Sequence, residues 1–253
     1  MKAFVISFAC VMGWCASAAA QATGQAWGNV TLDWLTTNRL SYEVDIEPKA
    51  QVFVHTGQTR WGDVDVTPHA EYALTSWIDV LGEVDVAYQA QSDETNSMTM
   101  MPRLGAQLHI LHRLLQGAGG HGATNEKLPR RRAVVSTLLR LEHEDTFYST
   151  DAAAKSLWQL RDRLEFAYSL NRAKTTDDGA IYVMSDGELF MPIDQPAGGG
   201  TVSEVRMRGG VGYRESFGWR YEALYIWNGE RTPHTGAMAV SSHAIDVRIR
   251  REF

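Results

Sequence analysis

From Trp27 to the C-terminus, apolar and polar residues alternate at period two with few breaks, and stripes at helical spacing are scarce. Across Leu40–Val54 the even positions read Leu40, Tyr42, Val44, Ile46, Pro48, Ala50, Val52 and Val54. The odd positions between them include Ser41, Glu43, Asp45, Glu47, Lys49 and Gln51. Such a segment is a strand with one apolar and one polar face. At 15 residues it far exceeds the usual strand of about five or six. The pattern returns in Trp27–Leu35, Val64–Leu74, Ile78–Gln89, Leu104–Ile110, Ala133–Tyr148 and Leu157–Leu170. Ala180–Met191, Val202–Arg214, Trp219–Asn228 and Ala239–Phe253 complete eleven candidate strands.

Thr36–Arg39, Thr75-Ser76 and Glu215–Gly218 are tight connections, whereas Ser92–Ser97, Ile193–Thr201 and Gly229–Met238 are longer. Short turns at one end and longer loops at the other predict an all-β fold, an antiparallel up-and-down transmembrane β-barrel. Most of the strands are long enough to cross a bilayer at a tilt, which takes roughly 9–11 residues. The apolar face of Trp219–Asn228 reads Trp219, Tyr221, Ala223, Tyr225, Trp227. Its two tryptophans lie about 27 Å apart along a strand rising roughly 3.4 Å per residue. Tilted by about 40°, that is roughly 20 Å of height, close to an apolar band with an aromatic girdle at each edge. A soluble sandwich would instead bury that face.

Eleven strands conflict with the even number expected of a single-chain bacterial barrel. The expectation is therefore ten or twelve: either Trp27–Leu35 is not a wall strand, or one strand is hidden. Leu114–Arg131 is the longest connection, yet parity puts it on the side where turns are short.

The first 22 residues read differently. A basic start at Lys2, an apolar stretch from Ala3 to Trp14 and overlapping A-x-A sites ending at Ala20 and Ala22 form a cleavable export signal. Residues 23–253 then make one barrel domain. Both cysteines, Cys10 and Cys15, leave with the signal, so no disulfide or cysteine-based metal site remains. With Lys2 gone, 23 Lys and Arg face 30 Asp and Glu, a net −7 that argues against a nucleic-acid partner. The destination is the bacterial outer membrane.

Polar alternates turn inward in such a barrel, and they form two unlike walls. One is acidic: Glu43, Asp45, Glu47, Asp63, Asp65, Glu71, Asp79, Glu83 and Asp85, with Lys49 the only Lys or Arg. The other mixes signs, with Arg140, Glu142, Arg161, Arg163, Glu165, Arg206, Arg208, Arg220, Glu222, Arg248 and Arg250 at steps of two that put these charges on one face. Neighbouring strands about 4.8 Å apart can pair these as a ladder. Two readings stay open. Either the lumen is a narrow, cation-leaning pore, or internal salt bridges close a structural barrel.

Catalytic and metal chemistry find little support. His109 and His112 point to opposite faces of a strand and cannot converge. Asp63-Val64-Asp65 shares a face, but a lone Asp-x-Asp pair is common. Gly209-Gly210-Val211-Gly212 lacks the strand-to-helix setting of a phosphate loop, and there is no Gly-x-Ser-x-Gly elbow. His143, Ser149, His234, Ser241, Ser242 and His243 fall near strand ends, where a lipid hydrolase or acyltransferase site could sit. No nucleophile–base pair stands out among them, so catalytic residues, metal and cofactor are all expected to be none.

Phe253 ends an alternating strand, Ile245, Val247, Ile249, Arg251, Phe253. It resembles the terminal signature read by the barrel assembly machinery. Arg251 departs from that signature, which usually has an apolar residue or Tyr there. The export signal, the Trp27-led first strand, the Arg-x-Arg and Arg-x-Glu strands and Phe253 together resemble outer-membrane proteins of domain-of-unknown-function family 2490. The resemblance implies a barrel in contact with outer-membrane lipid and carries over no activity or catalytic residue.

Overall fold

The computed structural model describes residues 23–53, 59–93, 95–110, 132–150, 152–194, 201–232 and 236–253. The export signal, His112, His234 and all of Leu114–Arg131 lie outside the described residues. Eleven strands close into one barrel: β1 (Thr23–Leu35), β2 (Leu40–Phe53), β3 (Trp61–Ala73), β4 (Ile78–Gln91), β5 (Ser97–His109), β6 (Ala133–Tyr148), β7 (Lys155–Ser169), β8 (Ile181–Pro192), β9 (Glu204–Arg214), β10 (Trp219–Arg231) and β11 (Met238–Glu252).

Every sequential pair is antiparallel, and β1 closes on β11 in parallel, from Thr23 opposite Ser242 to Asp33 opposite Glu252. This corrects the expectation of ten or twelve strands. In an up-and-down chain, direction alternates, so strands 1 and 11 run the same way and can meet only in a parallel ladder. The Trp27 segment is therefore a wall strand, and its start lies at the opposite rim from Phe253. Strand β5 begins at Ser97, seven residues before the alternation becomes readable, because Met98, Met100, Met101 and Pro102 blur it.

The packing is inside out relative to a water-soluble fold. Among the described residues, nine hydrophobic side chains are buried against twenty polar or charged ones. Most outward positions are apolar and exposed, with Phe53, Tyr88, Phe147 and Trp158 toward one rim and Trp34, Tyr42, Tyr72, Trp219 and Phe253 toward the other. At the seam, Phe253 stacks on Trp34 with centroids 5.8 Å apart, and its N–H donates to the Asp33 carbonyl at 2.9 Å. Arg251 faces outward with its guanidinium over the Trp219 and Phe253 rings, at 5.2 and 5.1 Å. That stacking tells how a basic residue is tolerated in the alternating apolar set.

Glycine lets inward side chains cross a neighbouring strand. Tyr182 of β8 lies over Gly212 of β9 and donates its hydroxyl to Glu222 of β10 at 2.6 Å. A Cβ at Gly212 would fall 2.2 Å from the Tyr182 ring. Gly212→Ala is therefore expected to displace the ring and break the bond to Glu222, costing about 1–3 kcal/mol. Denaturant unfolding of the purified barrel measures it, and a variant as stable as wild type refutes it.

Candidate functional site

The inward face encloses a cavity of about 980 Å³. Alternation is what delivers its lining: each strand contributes every second residue. Of the expected acidic wall, Glu43, Asp45, Glu47, Asp63, Asp65, Glu71, Glu83 and Asp85 line the cavity, and Asp79 is buried against the His109 imidazole, 2.6 Å from it. Of the expected ladder, Arg140, Arg161, Arg163, Glu165, Arg206, Arg208, Arg220, Glu222, Arg248 and Arg250 line it, while Glu142 lies fully enclosed beneath the arginines.

The arginines and acids of β4 to β9 form one continuous network. Glu142 Oε1 meets Arg161 at 3.2 Å, Arg140 at 3.3 Å and Arg103 at 3.4 Å, while Gln159 donates to Oε2 at 2.9 Å. Glu188 accepts from Arg161 Nε at 2.6 Å and from Arg140 at 3.4 Å, with Arg206 and Arg208 at 3.7 and 3.8 Å. Arg140 also reaches over Gly105 of β5 to Glu83 on β4, at 2.7 Å. Arg208 Nε binds Asp186 at 2.7 Å. Nothing but glycine at 105 leaves room for that crossing, since a Cβ there would lie 2.7 Å from Arg140 Cγ and 2.8 Å from the Leu139 carbonyl.

The acidic wall is partly neutralised from other strands. Arg103 of β5 holds Asp85 at 2.6 Å and Glu83 at 3.2 Å. Arg250 of β11 bridges Asp33, at 2.9 Å, and Glu43 across the parallel seam. Lys49 pairs with Glu47, at 3.0 Å, and with Asp65. Asp45 accepts hydrogen bonds from Thr31 and, at 3.5 Å, Asn29. Among the described residues, enclosed oxygens of Asp63, Asp65 and Gln51 find no hydrogen-bond partner.

Sequence reasoning missed Trp27 as a lumen residue. Its ring points inward, is 8 % exposed, and packs with Ile226 and Ala244. Lys49 Nζ lies 5.1 Å from the ring centroid, and Arg206 reaches it from β9 at 5.3 Å. Arg206 also covers Phe190 at 5.0 Å, which Arg161 meets from the other side of the network at 4.5 Å. Inside the lumen, the faces of Trp27 and Phe190 thus carry cations from β2, β7 and β9. The parity of Asn29, Thr31 and Asp33 was the available signal, since Trp27 shares their face.

Among the described residues, those weighed for lipid chemistry do not converge. His143 faces outward on β6, 3.3 Å from Asp145 and against the Trp158 ring, while His243 faces outward on β11 and meets the Tyr225 hydroxyl at 2.6 Å. Ser242 turns inward to Asn228, at 2.8 Å, and Ser241 donates to the Asn228 carbonyl at 3.3 Å. Ser149 lies beyond the end of β6, where its backbone N–H donates to the Asn96 carbonyl at 2.8 Å. Asp162 also faces outward, accepting from Thr137 at 2.8 Å.

The model of the family described as protein of unknown function (DUF2490) matches residues 24–239, most of the barrel. The chain belongs to that family. No curated protein matches it. The matched span in this DUF2490 protein runs from the parallel strand β1 to the start of β11, and so includes both the acidic wall and the arginine network.

Proposed function

We propose that this DUF2490 protein is an integral barrel of the bacterial outer membrane, exported by residues 1–22, whose lumen is a narrow, cation-leaning passage for small solutes. The apolar outer face and its two aromatic rims suit lipid contact. The alternating last strand ending at Phe253 suits the barrel assembly machinery. With Phe253 on the periplasmic side, parallel closure sets Thr23 at the cell-surface rim.

One observation carries the passage reading: among the described residues, thirteen carboxylates and ten Lys or Arg line the cavity. Of the β2 and β3 acids, Glu43 is held by Arg250, and Glu47 and Asp65 share the single Lys49. A low-dielectric wall with excess negative charge concentrates cations. The second reading, a structural barrel closed by its own ion pairs, is favoured by Glu142 and Glu188, which are fully enclosed. Reconstitution in a planar bilayer under a potassium chloride gradient separates the two. The expected result is small conductance with a reversal potential displaced toward that of the cation. Anion preference overturns the cation lean, and a folded, heat-modifiable barrel that passes no current leaves the structural reading.

In this reading the barrel is not an enzyme; among the described residues His143 lies 3.3 Å from Asp145 and His243 meets the Tyr225 hydroxyl. Fatty-acid release from added lipid that is lost on changing His143 or His243 would reverse that.

A further inference from the structure

Strands β7 and β8 are joined by eleven residues, 170–180, at the rim that carries Phe253. Three other connections at that rim, 36–39, 74–77 and 215–218, take four residues each, which is enough for a hairpin turn. The longer connection is tied down along its length. The Leu170 N–H donates to the Ile181 carbonyl at 2.8 Å. Asn171 closes the base twice, its side chain accepting from the Ile181 N–H at 2.7 Å and donating to the Gly179 carbonyl at 2.9 Å. The Gly179 N–H donates to the Arg214 carbonyl at 2.8 Å, and the Arg214 N–H to the Ala180 carbonyl at 2.9 Å, which fastens the far end to β9. Asp177 accepts from the Lys174 N–H through its carboxylate and from the Ala180 N–H through its carbonyl, both at 3.0 Å. Gly179 has a φ of +75°, and a Cβ there would lie 3.0 Å from the Arg172 guanidinium. A segment whose ends meet and whose interior bonds to itself is a compact loop of the Ω kind. Within it, Thr175 and Thr176 line the same cavity as the inward strand residues, although they belong to no strand.

We propose that residues 170–180 are a fixed arm turned into the lumen mouth at the Phe253 rim, and that Thr175 and Thr176 select by size the solutes that pass there. The selected class is small hydrated solutes. Two neutral hydroxyls can stand in for water around a cation or a polar solute without holding it as a carboxylate would, and conduction needs such weak contacts. The proposal rests on the reading of the lumen as a passage. Trp27 stands toward the other rim, so the arm and the ring act in series.

The test uses the full-length mature barrel in a planar bilayer. Residues 23–253 contain no cysteine, so Thr176→Cys introduces a single thiol. Modification with the neutral reagent benzyl methanethiosulfonate is expected to lower its single-channel current about twofold or more. Asp178→Cys is the control, since Asp178 is exposed on the same connection and does not line the cavity. Modified to the same extent by mass, it is expected to keep its current. Deleting residues 173–178 is expected to raise conductance about 1.5-fold and to admit larger uncharged sugars in vesicle swelling. Every variant must first show the heat-shifted migration of a folded barrel, and if the shortened chain does not, the thiol variants decide. Unchanged current after modification, or equal losses at positions 176 and 178, overturns the arm and leaves the passage standing. Current from the shortened barrel alone keeps the arm, as a stopper, and defeats the passage in the intact chain. Silence from every folded variant defeats both.

Discussion

Glu188→Gln is expected to cost the folded barrel about 3–5 kcal/mol, because it removes one partner from a buried ion-pair network. Glu188 is fully enclosed and is the acid toward which Arg161, Arg140, Arg206 and Arg208 converge. Gln keeps the shape but leaves those guanidinium groups with one negative charge fewer in a site that excludes water. The Arg163–Glu165 pair provides the contrast. It is close, at 2.8 Å, but its side chains are 22 % and 32 % exposed. Glu165→Gln is expected to cost about 1 kcal/mol or less. Denaturant unfolding followed by gel migration measures both, and similar costs would refute the central place of Glu188.

Trp27→Ala is expected to raise single-channel conductance several-fold. The ring is the largest inward side chain on β1 and is stacked between cations from β2 and β9. Removing it takes away a rigid obstacle and releases Lys49 and Arg206 from the stack. Part of the effect will be structural, since truncating a buried Trp costs about 3–5 kcal/mol. Conductance is therefore compared only in protein that migrates as a folded barrel. A folded W27A barrel conducting no more than wild type removes the ring from its role as constriction.

Both predictions depend on residues that the chain reveals unequally. The arginines around Glu188 were legible as charges at steps of two, because strand parity is a local property and holds whatever the strand pairs with. Their convergence was not legible. It depends on which strands are neighbours and on Gly105 allowing Arg140 to cross β5. Trp27 was visible as the start of a strand, but a lone Trp on a polar face contradicts the outward rule for aromatics. Only the cations that stack on it make an inward position favourable.

By itself, the sequence determined the all-β class, the inward and outward faces of nearly every strand, and both charged walls. Period-two patterning is written residue by residue and requires no long-range contact. Closure was decided by the tertiary structure alone. Eleven candidate strands were countable, but an odd number looked like an error until β1 met β11 in parallel. A parallel ladder has no turn to announce it, and its register is set by partners more than two hundred residues apart, such as Arg250 and Asp33. The same closure determined which acids acquire an arginine and which keep only Lys49.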